Sequence, residues 1–232
     1  MATLFDKDES LAPLPQRVLL HLSRYKASFL EAVAAAVLSP AEVERRDKLQ
    51  EVDDAISTLC DCGKLERLRG DSFFARRGVY LAGHTTKMTD IALVYYCFLG
   101  EERRWLVTYQ ELKPLFAAEN LPCPFHNYRH VLTRRQGVPT LARVYHCKAA
   151  NKNAREQIRR HITEHSKGFG HWVDDGSYQL SVLVASEGRK KEVEQLITET
   201  YRTSPPLGEL AGITVSVVPT EETFEKMVGR HS

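Results

Sequence analysis

Several features that would announce a chemistry are missing from this chain of 232 residues. There is no Cys-x2-Cys pair, and the one close pair, Cys60-x-Cys62, has the wrong spacing for a standard zinc site. Five cysteines (Cys60, Cys62, Cys97, Cys123 and Cys147) make an odd set for a disulfide framework, so reduced thiols in a cytosol are the simpler expectation. No glycine-rich phosphate loop is present; Gly168-Phe169-Gly170 is too short to be one. The longest apolar stretch near a helix, Phe29 to Leu38, is interrupted by Glu31 and falls far short of the roughly 20 residues needed to cross a bilayer. The segment Met1 to Ser10 carries Asp6, Lys7, Asp8 and Glu9 and no apolar core, so it does not read as a secretory leader. These absences argue for a cytoplasmic protein with no membrane partner and no cofactor. Neither an internal repeat nor a low-complexity tract is visible.

What is present is an uneven distribution of charge. The formal net charge of +2 hides three regimes. Residues 1–80 hold 12 Lys+Arg against 13 Asp+Glu, residues 81–170 hold 14 against 7, and residues 171–232 hold 6 against 10. A local basic block bears on polyanion binding more than the total does. At 43% hydrophobic and 27% charged, the composition is that of an ordinary folded protein.

The periodicity predicts a mixed architecture. Pro13 and Pro15 open a helix whose Val18, Leu19, Leu22 and Tyr25 repeat at helical spacing. A second helix is expected over Ala27–Leu38. Ser39-Pro40 with Glu42 reads as a break and a capped new start. A third helical segment carries Leu49, Val52, Ile56 and Leu59 on one face and ends at Gly63. Leu65–Leu68 and Val79–Leu81 read as two strands of a hairpin around Gly70-Asp71. Thr89–Leu99 is an apolar helix, and Thr108 with Glu111 can cap another. Beyond residue 140, strand, helix, strand, helix and strand follow at Leu141–His146, Arg155–His165, Tyr178–Ala185, Lys190–Tyr201 and Ile213–Val218. The expected fold class is α+β: an N-terminal winged helix-turn-helix followed by a small α/β domain. The expected divisions are a flexible start over 1–12, a winged helix over 13–86, a helical connector over 87–135 and the α/β domain over 136–232.

The run Ile56-Ser57-Thr58-Leu59-Cys60-Asp61-Cys62-Gly63-Lys64-Leu65-Glu66-Arg67-Leu68, followed by Val79-Tyr80-Leu81-Ala82-Gly83-His84, resembles the winged helix of the replication-relaxation proteins of plasmids and other mobile elements. Thr89-Asp90-Ile91-Ala92-Leu93 resembles the helix that follows the wing in that family. The C-terminal part is similar in outline to a degenerate nuclease-like fold of the PD-(D/E)xK type. The resemblance covers about 80 residues and, beyond them, only an order of elements. It implies a DNA-binding transcriptional regulator, or a replication or transfer accessory factor, of a bacterial mobile element.

The residue patterns supply candidates for that role. Arg67, Arg69, Arg76 and Arg77 crowd one short hairpin, where guanidiniums can neutralise phosphates; the alternative is a solvated charged turn. Arg45, Arg46, Lys48 and Gln50, near the start of the third helical segment, can reach phosphates or base edges, although Glu51, Asp53 and Asp54 would repel the backbone. The densest block runs from Arg129 to Lys167 and includes Arg134, Arg135, Arg143, Lys148, Lys152, Arg155, Arg159 and Arg160, with only Glu156 and Glu164 as acids. It is either a nucleic-acid surface or a basic face that pairs with the acidic C-terminal third. Cys123, His126 and His130, completed by His146 or Cys147, form the best metal-ligand set, and His161 with His165 shares one helix face; ordinary histidines and buried thiols are the competing reading. Where the nuclease-like outline calls for acid-x-Lys, this chain has His146-Cys147-Lys148, and Pro139-Thr140 stands where Pro-Asp is expected. Without the acid a hard cation has little to bind. The expectation is therefore no enzyme, no metal, double-stranded DNA as partner and a homodimer. A metal-dependent nuclease with an atypical site and a protein-interaction module are the alternatives.

Chelator treatment is expected to leave the melting temperature unchanged, since a structural zinc would contribute on the order of 10 kcal/mol to folding. Stoichiometric zinc in the purified protein, lost together with thermal stability, would instead make Cys123, His126 and His130 ligands.

Overall fold

The computed structural model describes residues 12–68, 78–82, 88–100, 102–123, 128–135, 138–165, 171–172, 175–203, 212–220 and 223. The architecture is mixed α and β with two sheets, and no described helix is long and apolar enough to cross a membrane. The chain divides into two compact units, with boundaries between Arg103 and Arg104 and between Val218 and Pro219, so that the described residues after Val218 group with the N-terminal unit.

In the N-terminal unit, helix α1 (Leu14–Tyr25) starts on Pro13 and Pro15 and buries Val18, His21, Leu22 and Tyr25 along one stripe. It stops because Lys26 takes a φ of 70°, and the Lys26 N–H donates to the Leu22 carbonyl at 2.8 Å. The chain leaves extended, and Ala27–Ser28 forms strand β1. This corrects the expected helix over Ala27–Leu38. Its first residues pair in a sheet, Phe29 is still extended, and helix α2 occupies only Leu30–Val37. Helix α3 (Pro40–Val43) opens as the Ser-Pro signal predicts: the Ser39 N–H and hydroxyl donate to the Glu42 carboxylate at 2.9 and 2.7 Å. Helix α4 (Arg46–Asp61) turns Val52, Ala55, Ile56 and Leu59 inward, and the chain reverses through Gly63 at a φ of +66°.

Strands β2 (Glu66–Arg67) and β3 (Tyr80–Leu81) follow, and the three strands pair antiparallel in the order β1-β3-β2. Val18, Leu22, Val33, Ala34, Val52 and Ile56 from α1, α2 and α4 are fully buried in one core. Each large aliphatic among them contributes about 1.5–3 kcal/mol. Helix α5 (Met88–Phe98) is buried at every position from Ile91 to Phe98, so it presents no polar face to solvent along that run.

The C-terminal unit is built on strands β4 (Trp105–Val107), β5 (Arg129–Arg135), β6 (Val138–His146), β7 (Tyr178–Val184) and β8 (Ile213–Val217), paired in that order. The first three are antiparallel, and β6, β7 and β8 are parallel. Helix α6 (Tyr109–Ala118) links β4 to β5 and is capped by Thr108 and Glu111. Helices α7 (Lys152–Arg160) and α8 (Glu187–Thr203) are the crossovers that parallel neighbours require, and a π-helical turn, His161–His165, extends α7. Ile158, Ile162, Val193, Leu196 and Ile197 pack on Leu180, Val182 and Val184 of β7.

The helical connector expected over 87–135 is thereby corrected. Helix α5 belongs to the first unit, while β4 and β5 are the outer strands of the second unit's sheet. Likewise the α/β region starts before residue 136, because β6 needs an antiparallel neighbour on the side away from β7.

His21 gives the first unit a defined acid sensitivity. Its ring is buried, lies against Tyr25 and Phe98 at centroid distances of 4.8 and 5.0 Å, and places Nε2 2.9 Å from Ser28 Oγ. Burial, with help from the Arg24 charge, holds its pKa down to about 3, against 6.5 when exposed. Between those values the unfolded chain binds a proton that the folded one does not. Stability therefore falls as pH drops through that window, by at most roughly 1.4 kcal/mol per unit. His146, also lowered by burial, acts in the same direction. Denaturant unfolding followed from pH 7 to pH 4 should give a shallower pH slope for His21→Gln than for the natural protein; equal slopes would remove His21 as a source of the acid sensitivity.

Candidate nucleic-acid interface

In the N-terminal half of α4, Asp47, Gln50 and Asp54 lie opposite the buried stripe, while Lys48 and Glu51 lie nearer its flank. Arg45, the extended residue just before the helix, is exposed, but its guanidinium grips both Asp47 oxygens, Nε to Oδ1 at 3.2 Å and Nη2 to Oδ2 at 2.6 Å. That pairing raises the pKa of Arg45 and lowers that of Asp47. The Lys48 ammonium sits 2.7 and 2.8 Å from the two Glu51 oxygens. Gln50 donates to Asp54 Oδ1 at 2.9 Å. Arg46 is exposed and engages no carboxylate among the described residues. Of the four candidates, Arg45, Arg46 and Gln50 are exposed and Lys48 is half-buried, and all but Arg46 are bonded to an acid of the same segment.

On the hairpin, Arg67 is exposed on β2, opposite Tyr80. Its guanidinium lies over Gly78, which has a φ of +73°. A Cβ there would come within 3.3 Å of Arg67 Nη2, so the glycine leaves space for the guanidinium. Arg69, Arg76 and Arg77 lie outside the described residues.

The basic block of the second unit does not form one surface. Arg143, on the central strand β6, is only 1% exposed. Its Nη2 donates to the carbonyl and to Oε1 of Gln157 at 3.3 and 3.4 Å, and its guanidinium carbon lies 4.7 Å from the Tyr128 ring centre. Arg160 Nη1 donates to the same Tyr128 hydroxyl at 2.8 Å. Arg155 reaches Glu199 on α8 at 3.2 Å, and Arg159 reaches Glu156 at 2.7 Å. Among the described residues, Arg155–Glu199 joins the basic block to the acidic C-terminal third, the pairing that the second reading of the block expects. Lys148 and Lys152 remain exposed. Arg134 and Arg135 lie on β5, with their side chains outside the described set.

A buried polar cluster, which the sequence pattern does not reveal, surrounds Arg143. His130 faces it across the β5–β6 register and places Nε2 3.1 Å from the Tyr178 hydroxyl, while His161 stacks on the Tyr178 ring. Burial pushes the Tyr178 phenol well above its ordinary range, so it stays protonated. The signal for this cluster in the sequence is slight: Arg143 between the apolar Leu141-Ala142 and Val144 of β6, and His130 before Val131-Leu132 of β5.

Of the candidate metal-ligand set, the structure separates His130, His146 and Cys147. Tyr145 and Cys147 pack into the helix-side core, so His146 between them lies on the other face of the strand. His130 pairs with Arg143, four residues and about 13 Å along β6 from Cys147. The Cys147 thiol donates to the Ala149 carbonyl at 3.2 Å and is pushed up in pKa by burial. His126 and the His165 side chain lie outside the described set. Among the described residues no group of three His, Cys, Asp or Glu side chains converges. Asp175 serves its turn, accepting the Ser177 N–H at 2.8 Å.

No protein-family model and no curated protein matches this chain.

The geometry separates two arginine and lysine roles that a charge count merges. Arg143→Ala is expected to lose on the order of 3 kcal/mol of stability, through the cation–π contact, two hydrogen bonds and packing. Lys148→Ala should stay within about 0.5 kcal/mol. Chemical denaturation of both variants checks this, and equal stabilities would contradict the burial of Arg143.

Proposed function

We propose that this protein binds double-stranded DNA through its N-terminal unit without cutting it. The observation that carries the reading is the element order of that unit: α1, β1, α2, α3, α4, β2 and β3, with the strands ordered β1-β3-β2. Read as a winged helix, this order gives α4 the recognition position and makes the β2–β3 hairpin the wing. The wing carries Arg67 and, in its connecting segment, Arg69, Arg76 and Arg77. Arg46 adds an exposed cation at the start of α4.

The resemblance to replication-relaxation proteins supports a regulator, or a replication or transfer accessory factor, of a bacterial mobile element. One winged helix covers few base pairs, so a homodimer on a repeated site is the fitting form. The second unit's mixed sheet with crossover helices agrees with the nuclease-like outline, but β6 runs into His146-Cys147-Lys148. A histidine offers no negative charge for a hard cation, and Lys148 alone generates no nucleophile. The second unit is then a platform for dimerisation, DNA contact or ligand sensing. A second reading, a protein-interaction module, is favoured by one observation: the acids bonded along the outward face of α4.

The deciding measurement is affinity for duplex DNA as a function of salt, with and without magnesium or manganese. Arg76→Ala with Arg77→Ala is expected to weaken binding across sequences alike and to lower the salt slope by about one to two. Supercoiled and linear DNA should remain intact. Cleavage that copurifies with the protein and disappears in Lys148→Ala would make it a nuclease, and absence of duplex binding at low salt would leave the interaction module.

A further inference from the structure

We propose that Asp47 and Glu51, seconded by Asp54, are built-in competitors for DNA phosphate that hold α4 off sequence-blind duplex. The proposal rests on the DNA-binding reading above. Its basis is the set of three consecutive pairs at the start of α4. Asp47 presents both oxygens to the Arg45 fork, Glu51 presents both to the Lys48 ammonium, and Asp54 accepts from the Gln50 amide. A phosphate takes a guanidinium or an ammonium through oxygens in the same way, and a base edge takes an amide. At 100° per residue, Asp47, Gln50 and Asp54 all fall on the side away from Val52, Ala55, Ile56 and Leu59, where a duplex would approach. Each acid therefore occupies a donor that DNA could use: Asp47 and the Gln50–Asp54 pair do so on that outward side, while Glu51 holds Lys48 at the flank of the helix, where the lysine is half-buried.

The consequence is an exchange rather than a simple attraction. A phosphate that engages Arg45 or Lys48 must first displace a carboxylate, which is left facing the polyanion. On random sequence this cancels most of the gain from counterion release. A cognate site adds base-edge acceptors in register, such as guanine O6 and N7 for Arg45 or adenine for Gln50, and only there does the exchange turn favourable. Selectivity thus comes from a penalty on wrong DNA as much as from contacts to the right one.

The test compares the full-length protein with Asp47→Asn/Glu51→Gln and with a control, Asp53→Asn/Asp61→Asn. The control removes the same charge from the same helix without touching the pairs. Fluorescence anisotropy on a random-sequence duplex is read from low to moderate salt, and melting curves confirm that all three proteins fold. The pair variant is expected to bind about tenfold more tightly, with a salt slope steeper by one to two, and the control to gain much less. Adding Arg45→Ala and Lys48→Ala to the pair variant should abolish the gain. If the natural protein binds duplex and the pair variant matches it, or the control gains as much, the competitor role is overturned and DNA binding stands. If no form binds duplex at low salt, both fail together.

Discussion

The N-terminal unit depends on one backbone reversal. Lys26 adopts a left-handed conformation that a lysine rarely takes, and three bonds meet around it. Its N–H closes α1 on Leu22, its carbonyl accepts the Ala82 N–H at 3.0 Å, and the chain it redirects places Ser28 against His21. Without that turn Ala27 and Ser28 would continue the helix, β3 would lose the strand on one of its sides, and the hairpin would be an isolated two-residue ladder. Such a ladder is marginal in water. The position of Arg67 on the hairpin therefore traces back to a turn some forty residues earlier.

The same turn explains what the sequence pattern conveys and what it hides. Signals made of a cap or a long period were legible. The Ser39–Glu42 and Thr108–Glu111 boxes, the buried stripe of α4 with Gly63 after it, and the parallel strands β7 and β8 all lie where periodicity and capping chemistry put them. Strand β1 has two residues and so no period to detect; it runs directly into an alanine-rich stretch whose propensity is helical. Strand β5 reads as a basic segment because its apolar residues shrink to Val131 and Leu132. It becomes a strand through partners on both sides, β4 and β6, and that is tertiary information. In both places pairing overrode local composition.

Charge shows the same limit in a form that matters for function. In linear sequence the block from Arg129 to Lys167 is the most basic part of the chain. In space its members have separate fates: Arg143 inside the sheet against Gln157 and Tyr128, Arg160 on the same phenol, Arg155 and Arg159 on glutamates. A guanidinium in a strand interior organises buried polar groups and cannot release counterions from DNA. The candidate interface of the second unit contracts accordingly to Lys148 and Lys152, with Arg134 and Arg135 placed on β5 by their backbone alone.

What distinguishes the candidate DNA-facing cations is therefore the absence of a neighbouring acid rather than their density. Just before α4 the extended Arg45 pairs with Asp47, and on α4 Lys48 pairs with Glu51 three residues later, a helical spacing at which ion pairs form locally. Arg46, between them, and Arg67, on the hairpin, engage no carboxylate among the described residues. An unpaired exposed cation keeps its own counterion atmosphere and gains when a phosphate replaces it; a paired one gains only the difference between two anions. On the proposed DNA-binding reading, the first unit divides its positive charge into a part available to any duplex, Arg46 and the hairpin, and a part released only by a surface that offers better acceptors than a carboxylate. A protein that must search long DNA for a short site needs both, since the first keeps it on the polymer and the second lets it leave the wrong sequence.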